Sequence, residues 1–195
     1  MKIGLYFGTF NPIHIGHLVI ANHMAEFSSL DQVWFVVTPH NPLKDKSTLL
    51  EDYKRLELVH LATEDYPKLR ASDVEFKLPQ PNYTVNTLIH LEEKFRDHDF
   101  SLIMGEDNLK SLRKWKNYEM ILEHYPIHVY PRISGQEMPA LESKAGIYRT
   151  DAPIMEISST FIRNAIRIGK NIRPLLPEKV WRYVDENNLY KRPKA

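Results

Sequence analysis

Apolar residues fall along the chain in short continuous runs separated by stretches of helical periodicity. Residues 3–7 (IGLYF), 33–37 (VWFVV), 100–104 (FSLIM) and 127–130 (IHVY) have the length and β-rich make-up of interior strands, and 154–157 (IMEI) is a shorter candidate. Runs without polar alternation suit strands covered on both faces, as in parallel sheets. Between them, Leu18, Ala21 and Ala25 mark one helical face, and Leu88, Leu91 and Phe95 mark another at similar spacing. From Ser159 the pattern turns helical, with Phe161, Ile162, Ala165 and Ile166 on one side. A break at Arg173-Pro174 and Pro177 precedes a last helix over about 178–187. Proline and glycine gather in loops at 38–47, 78–82 and 131–146. Strands alternating with helices of this length predict an α/β fold with a doubly wound, mostly parallel sheet. Ligands of such sheets bind beyond the carboxyl ends of the strands.

The first strand runs straight into Gly8-Thr9-Phe10-Asn11-Pro12-Ile13-His14-Ile15-Gly16-His17. A buried strand, a glycine-flanked turn and a helix start are thereby joined at that edge. Helix N-termini offer unpaired N–H groups and the positive end of a dipole, so anions settle there. Two histidines three apart can face one way on the first turn. A polyphosphate is the natural guest of this corner. A His-x-x-His pair alone is commonly ordinary surface, and zinc would need further ligands that nothing nearby supplies.

Composition narrows the partners. The 195 residues allow one substantial core, read as one domain over 1–195 with residues 159–190 as a helical segment packed on it. The 26 Lys and Arg residues against 25 Asp and Glu argue against a broad basic face for nucleic acid or anionic membrane. With no cysteine, disulfides and thiolate metal sites are excluded. No apolar run is long enough to span a bilayer, and no leader pattern is visible, so a soluble cytoplasmic protein is expected. Oligomeric state is left open, a homo-oligomer included.

The ten-residue turn resembles the nucleotidylyltransferase signature G-x-F-x-P-x-H-x-G-H. Residues 157–163 (ISSTFIR) resemble the second signature of that superfamily, I-S-S-T-x-I-R. Residues 81–88 (PNYTVNTL) and 104–109 (MGEDNL), with Trp115, resemble internal motifs of the bacterial nicotinate-mononucleotide adenylyltransferases. The resemblance runs nearly end to end. Members usually carry two glycines and then an Asp where this chain has Phe7-Gly8 and Asn11. They also commonly have an aromatic after the tryptophan, where Lys116 stands here with Tyr118 further on.

The resemblance implies a Rossmann-like nucleotidylyltransferase fold with C-terminal helices, and adenylyl transfer from ATP to nicotinate mononucleotide, giving deamido-NAD and pyrophosphate. In such a transfer a phosphate oxygen attacks the α-phosphorus, and the barrier lies in aligning anions and neutralising charge on the leaving oxygens. Catalytic roles then fall to His14, His17 and Arg163. The ATP and phosphate site comprises Gly8, Thr9, Phe10, Gly16, Gly105, Asp107, Ile157, Ser158 and Ser159. Mg2+ is expected to arrive on the ATP, with no resident metal site. Thr84 is implied beside the nicotinate carboxylate and Trp115 stacked on the pyridine ring. Lys44 and Arg55 either reach the mononucleotide phosphate or are solvated surface charges. His40 sits on the Pro-rich loop and could line the site.

By residue type alone, Ser158-Ser159-Thr160 is an N-cap signal, and Asp107 is as much a helix start as a ribose acceptor. Arg163 is the odd element, since a cation in the first turn opposes the helix dipole unless an anion is present. Competing readings keep the fold but change the acceptor to phosphopantetheine, nicotinamide mononucleotide or a flavin nucleotide, or make the chain a non-catalytic nucleotide sensor. Class I aminoacyl-tRNA synthetases share a His-Ile-Gly-His string, but need a much longer chain and a Lys-rich second motif.

Overall fold

The computed structural model describes residues 1–39, 49–132 and 141–192. Six strands form one sheet: β1 (Lys2–Gly8), β2 (Gln32–Val37), β3 (Leu69–Ser72), β4 (Asp99–Gly105), β5 (Ile127–Tyr130) and β6 (Ile147–Arg149). Their spatial order is β3-β2-β1-β4-β5-β6, and every pairing is parallel. Leu5 in β1 lies between Trp34 of β2 and Leu102 of β4, which fixes the register at the centre.

The period of two along each strand sorts the apolar residues onto two faces. Tyr6, Val33, Phe35, Val37 and Ile103 face one core, while Ile3, Leu5, Trp34, Val36, Leu102 and Met104 face the other. The first core is closed by α1 (Ile15–Phe27), α2 (Asp52–Thr63), α6 (Ser159–Arg167) and α7 (Glu178–Glu186). The second is closed by α3 (Thr84–Lys94), α4 (Glu106–Ser111) and α5 (Tyr118–His124). Both faces being covered is why the strand sequences read as unbroken apolar runs.

The chain moves outward from β1 to β3, then returns to place β4 on the other side of β1. The direction of winding therefore reverses between β1 and β4, and the crevice beyond their carboxyl ends is the place such sheets offer a ligand. Gly8 and Gly105 end the two strands that flank it.

The expected fold class is observed, with three local differences. Residues 154–157 are not a strand; they form irregular backbone with Ile154 about half exposed, and the edge strand is the shorter Ile147–Arg149. β3 and α2 carried too little apolar signal to be expected: β3 has four residues, and α2 has only alternate patches of apolar side chain among charges. On α6 the buried face is Ile162, Ala165 and Ile166, whereas Phe161 points out and is 59% exposed. No helix among the described residues is long and apolar enough to cross a membrane.

Candidate active site

Gly8 closes β1, and its carbonyl still accepts from the Thr38 N–H at 2.9 Å before the chain turns. Phe10 takes up left-handed backbone (φ 45°) and packs its ring edge-on against Tyr6, Phe35 and His17. A bulky residue in that region is uncommon and needs such support. The turn delivers His14 as the N-cap of α1. The His14 and His17 rings stack with centroids 3.7 Å apart. The His14 backbone N–H donates to His17 Nδ1 at 3.2 Å, so the neutral His17 ring carries its proton on Nε2. Gly16 keeps the His14 ring in place, because a Cβ there would lie a tight 3.1 Å from His14 Nδ1.

Burial dominates the electrostatics. It lowers His14 to about 4, with the Arg132 guanidinium adding to the effect. His17 is lowered well below the usual histidine range by burial, then by His14 and Arg132. Both rings are thus neutral near pH 7 in the free protein. His14 is only 4% exposed, and among the described residues its Nδ1 has no hydrogen-bond partner. The first turn of α1 contains no acidic residue, which leaves its positive end uncompensated.

The second motif meets the first directly. Ser158 N-caps α6, its Oγ accepting from the Phe161 N–H at 3.2 Å. Ser159 Oγ donates to the Pro12 carbonyl at 2.8 Å, and Arg163 Nη1 donates to the Asn11 carbonyl at 2.8 Å. Residues nearly 150 positions apart are knitted into one corner, where the N-termini of α1 and α6 converge. No acidic residue occupies the first turn of α6 either. Arg163, expected at the phosphates, spends one nitrogen on the turn itself while remaining half-buried. Ile157 is half-buried against the first core just ahead of the cap.

Gly105 ends β4 and caps α4. A Cβ there would displace the Asp107 carboxylate and press on the Tyr130 ring at 3.1 Å, so the glycine leaves the Asp107 side chain its present place. Asp107 lies two residues into α4, not at its cap, and its Oδ1 is 4.0 Å from Arg132 Nε. Arg132, which sequence reasoning missed, is the central cation here. Its Nη1 donates to the Met155 carbonyl at 3.2 Å and its Nη2 to Tyr130 Oη at 3.4 Å, and its backbone N–H donates to Glu106 at 3.1 Å. The one available signal was position: Tyr130-Pro131-Arg132 follows an expected strand at the carboxyl edge.

Thr84 is the first residue of α3, and Trp115 follows the short helical turn Leu112–Lys114. Lys116 Nζ lies 4.3 Å from the centroid of the Tyr83 ring, so the structure brings these two segments together. Trp115 is half-buried and packs against the second core. Arg55 corrects both expectations held for it. It is 0% exposed, with Nε donating to the Leu50 carbonyl at 3.0 Å, and it bonds the Thr9 carbonyl and Asp52 as well. It braces the turn from behind and offers no open face to a phosphate. Lys44 and His40 lie outside the described residues.

Sequence and structure comparisons agree in direction. The cytidylyltransferase-like family model matches residues 5–165. A probable nicotinate-nucleotide adenylyltransferase from Flavobacterium johnsoniae is 69% identical over 193 residues, covering 98% of this chain and 100% of the relative. One from Bacteroides fragilis is 46% identical over 183 residues, covering 94% and 90%. Among solved structures, the Plasmodium falciparum nicotinic acid mononucleotide adenylyltransferase complexed with NaAD superposes with a TM-score of 0.76 over 97% of both chains, at 17% identity. At that identity the likeness is one of fold.

Proposed function

The chain belongs to the cytidylyltransferase-like family and, within it, to the nicotinate-nucleotide adenylyltransferases; from that premise we propose that it transfers the adenylyl group of Mg-ATP to nicotinate mononucleotide. The observation that carries the reading is the convergence of two uncompensated helix N-termini on one pair of stacked, neutral histidines.

A phosphate oxygen of the mononucleotide forms a bond to the α-phosphorus of ATP, and the bond from that phosphorus to its bridging oxygen breaks. The electron pair leaves with pyrophosphate. No covalent nucleophile is needed, only fixed donors where negative charge grows. His17 Nε2–H is such a donor, because its Nδ1 is already occupied by the His14 backbone. His14 supplies a second ring at the same place. The N–H groups at the starts of α1 and α6 add fixed dipoles, and Arg132 and Arg163 supply full positive charge. A bound polyphosphate opposes the effect of burial on His14, whose Nδ1 has no partner among the described residues, while His17 stays a neutral Nε2–H donor as long as its Nδ1 accepts from the His14 backbone. Magnesium would enter as part of the nucleotide substrate and would offset the negative charge of its polyphosphate. Asp107, beside Gly105, is suited to accept from ribose hydroxyls. Thr84 and Trp115 are the side chains suited to the acceptor, with a hydroxyl at a helix start for a carboxylate and an indole for a pyridine ring.

Pyrophosphate release from Mg-ATP, with nicotinate mononucleotide, nicotinamide mononucleotide and phosphopantetheine supplied separately, tests this. Release with the nicotinate acceptor alone is expected. Release only with another acceptor would retain the phosphate corner and overturn the roles of Thr84 and Trp115. ATP binding without release from any of the three would leave a nucleotide sensor.

A further inference from the structure

The side chain of Asn11 sits at the heart of the phosphate turn and is only 3% exposed. Its Oδ1 accepts two hydrogen bonds from distant parts of the chain: the Leu50 N–H at 3.3 Å and Tyr190 Oη at 2.8 Å. Its carbonyl accepts from Arg163 at the same time. One residue thus ties the turn to the approach to α2, to α6 and to the segment after α7.

Tyr190 reaches this place by an unusual route. After α7, the Leu189 N–H bonds back to the Val184 carbonyl at 2.9 Å with Asn188 in left-handed backbone (φ 52°), a helix stop of the Schellman type. Tyr190 is itself left-handed (φ 63°), a conformation bulky side chains rarely adopt and that costs about 1 kcal/mol or more. Lys191 then donates to the Asp185 carboxylate at 2.7 Å and to Asn188 Oδ1 at 3.1 Å, pinning the reversed segment to its own helix. The outcome is that the Tyr190 ring packs on the first core and its hydroxyl meets Asn11. Burial drives that hydroxyl above the usual tyrosine range, so it is a lasting donor, although Arg163 and Arg55 stand close enough to pull the other way.

We infer that Tyr190 is a positioning residue of the phosphate turn, acting through Asn11 to hold the backbone that carries Thr9, Phe10 and His14. The inference rests on the adenylyl-transfer reading for its kinetic consequence but not for its structural one. Strained backbone maintained by three separate interactions marks a position that the fold over-determines.

The test pairs kinetics with amide exchange. Tyr190→Phe keeps the ring and removes only the donor. Amides of residues 9–11, 13 and 14 are expected to exchange roughly fivefold faster or more, and kcat to fall about three- to tenfold with little change in the KM for Mg-ATP. The same substitution placed on Asn11→Ala should cost nothing further in kcat, because the partner is already gone; full additivity would overturn the inference. Should Asn11→Ala fail to fold, Asn11→Asp keeps an acceptor at that place, and there Tyr190→Phe is expected to retain its full cost; loss of that cost would also overturn it. A change in melting temperature with exchange and kcat both untouched reduces Tyr190 to packing. If the unaltered protein releases no pyrophosphate, adenylyl transfer falls, and the exchange rates alone still judge the clamp.

Discussion

The imidazole of His17 shows how much a single backbone hydrogen bond decides. With Nδ1 accepting from the His14 N–H, the ring has one proton to offer and one direction in which to offer it. Substituting His17→Ala should therefore lower kcat by a factor on the order of a hundred, comparable to the loss of one oxyanion donor, while the KM for Mg-ATP moves far less. Steady-state kinetics with a melting curve of the same preparation check it. A near-normal kcat in a folded variant removes His17 from the reaction. The ring also lies edge-on to Tyr6 and Phe10, so some loss of stability accompanies the change and is to be separated from it. Arg55 makes the opposite point. Its type suggested a phosphate ligand or a solvated charge, yet it is enclosed by the carbonyls of Thr9 and Leu50. Nothing local in the sequence announces that, because Thr9, the partner that draws it to the turn, is 46 positions away.

Among elements, α6 depends most visibly on its first residues. Ser158 caps it, Ser159 ties it to Pro12, and Arg163 ties it to Asn11. Ser158→Ala removes the cap alone, and loss of such a cap costs about 1 kcal/mol, or roughly 2–4 °C in Tm for a chain of this size. Thermal unfolding followed by circular dichroism measures it; no shift would mean that the tertiary bonds of Ser159 and Arg163 set the helix start unaided. The same element illustrates what was legible. Its N-cap and helical period stood in the sequence, as did β1, β2, β4 and β5, because strands buried on both faces must be continuously apolar. The run at 154–157 misled for a related reason. It is apolar, but Pro153 precedes it and its Met155 carbonyl is taken by Arg132 rather than by a strand. One third of α2 is charged, and the contacts that stabilise it, such as those with α7, are remote in sequence. The site followed the same division. His14, His17, Ser158, Ser159 and Gly105 belong to contiguous motifs, whereas Arg132 and Tyr190 enter through tertiary contacts that no spacing encodes.

For the molecule as a whole, charge is nearly balanced at +1, so buried titratable groups and not gross repulsion set how stability changes with pH. Two kinds pull in opposite directions. His14 falls from 6.5 to about 4 on folding, and His17 is lowered as well. Between those values the unfolded chain binds protons that the folded one refuses, so stability is lost as pH falls through that window. Glu75, between β3 and α3, is 2% exposed, and burial raises it from 4.5 to about 7 against the lowering effect of the Thr87 hydroxyl, which donates to Oε1 at 2.8 Å. Here the folded chain holds a proton the unfolded chain has released, so stability is lost as pH rises from 4.5 through 7. The full effect of Glu75 is at most about 3 kcal/mol, reached only above pH 7. Glu75→Gln retains an acceptor for Thr87 and removes the ionisation. Its Tm is therefore expected to exceed that of the unaltered protein at pH 8, by several degrees, and to equal it near pH 4.5, where Glu75 is already neutral. Melting curves at the two pH values decide it: the same difference at both would show that Glu75 acts through shape and hydrogen bonding, and that the alkaline limb of the stability profile has another source.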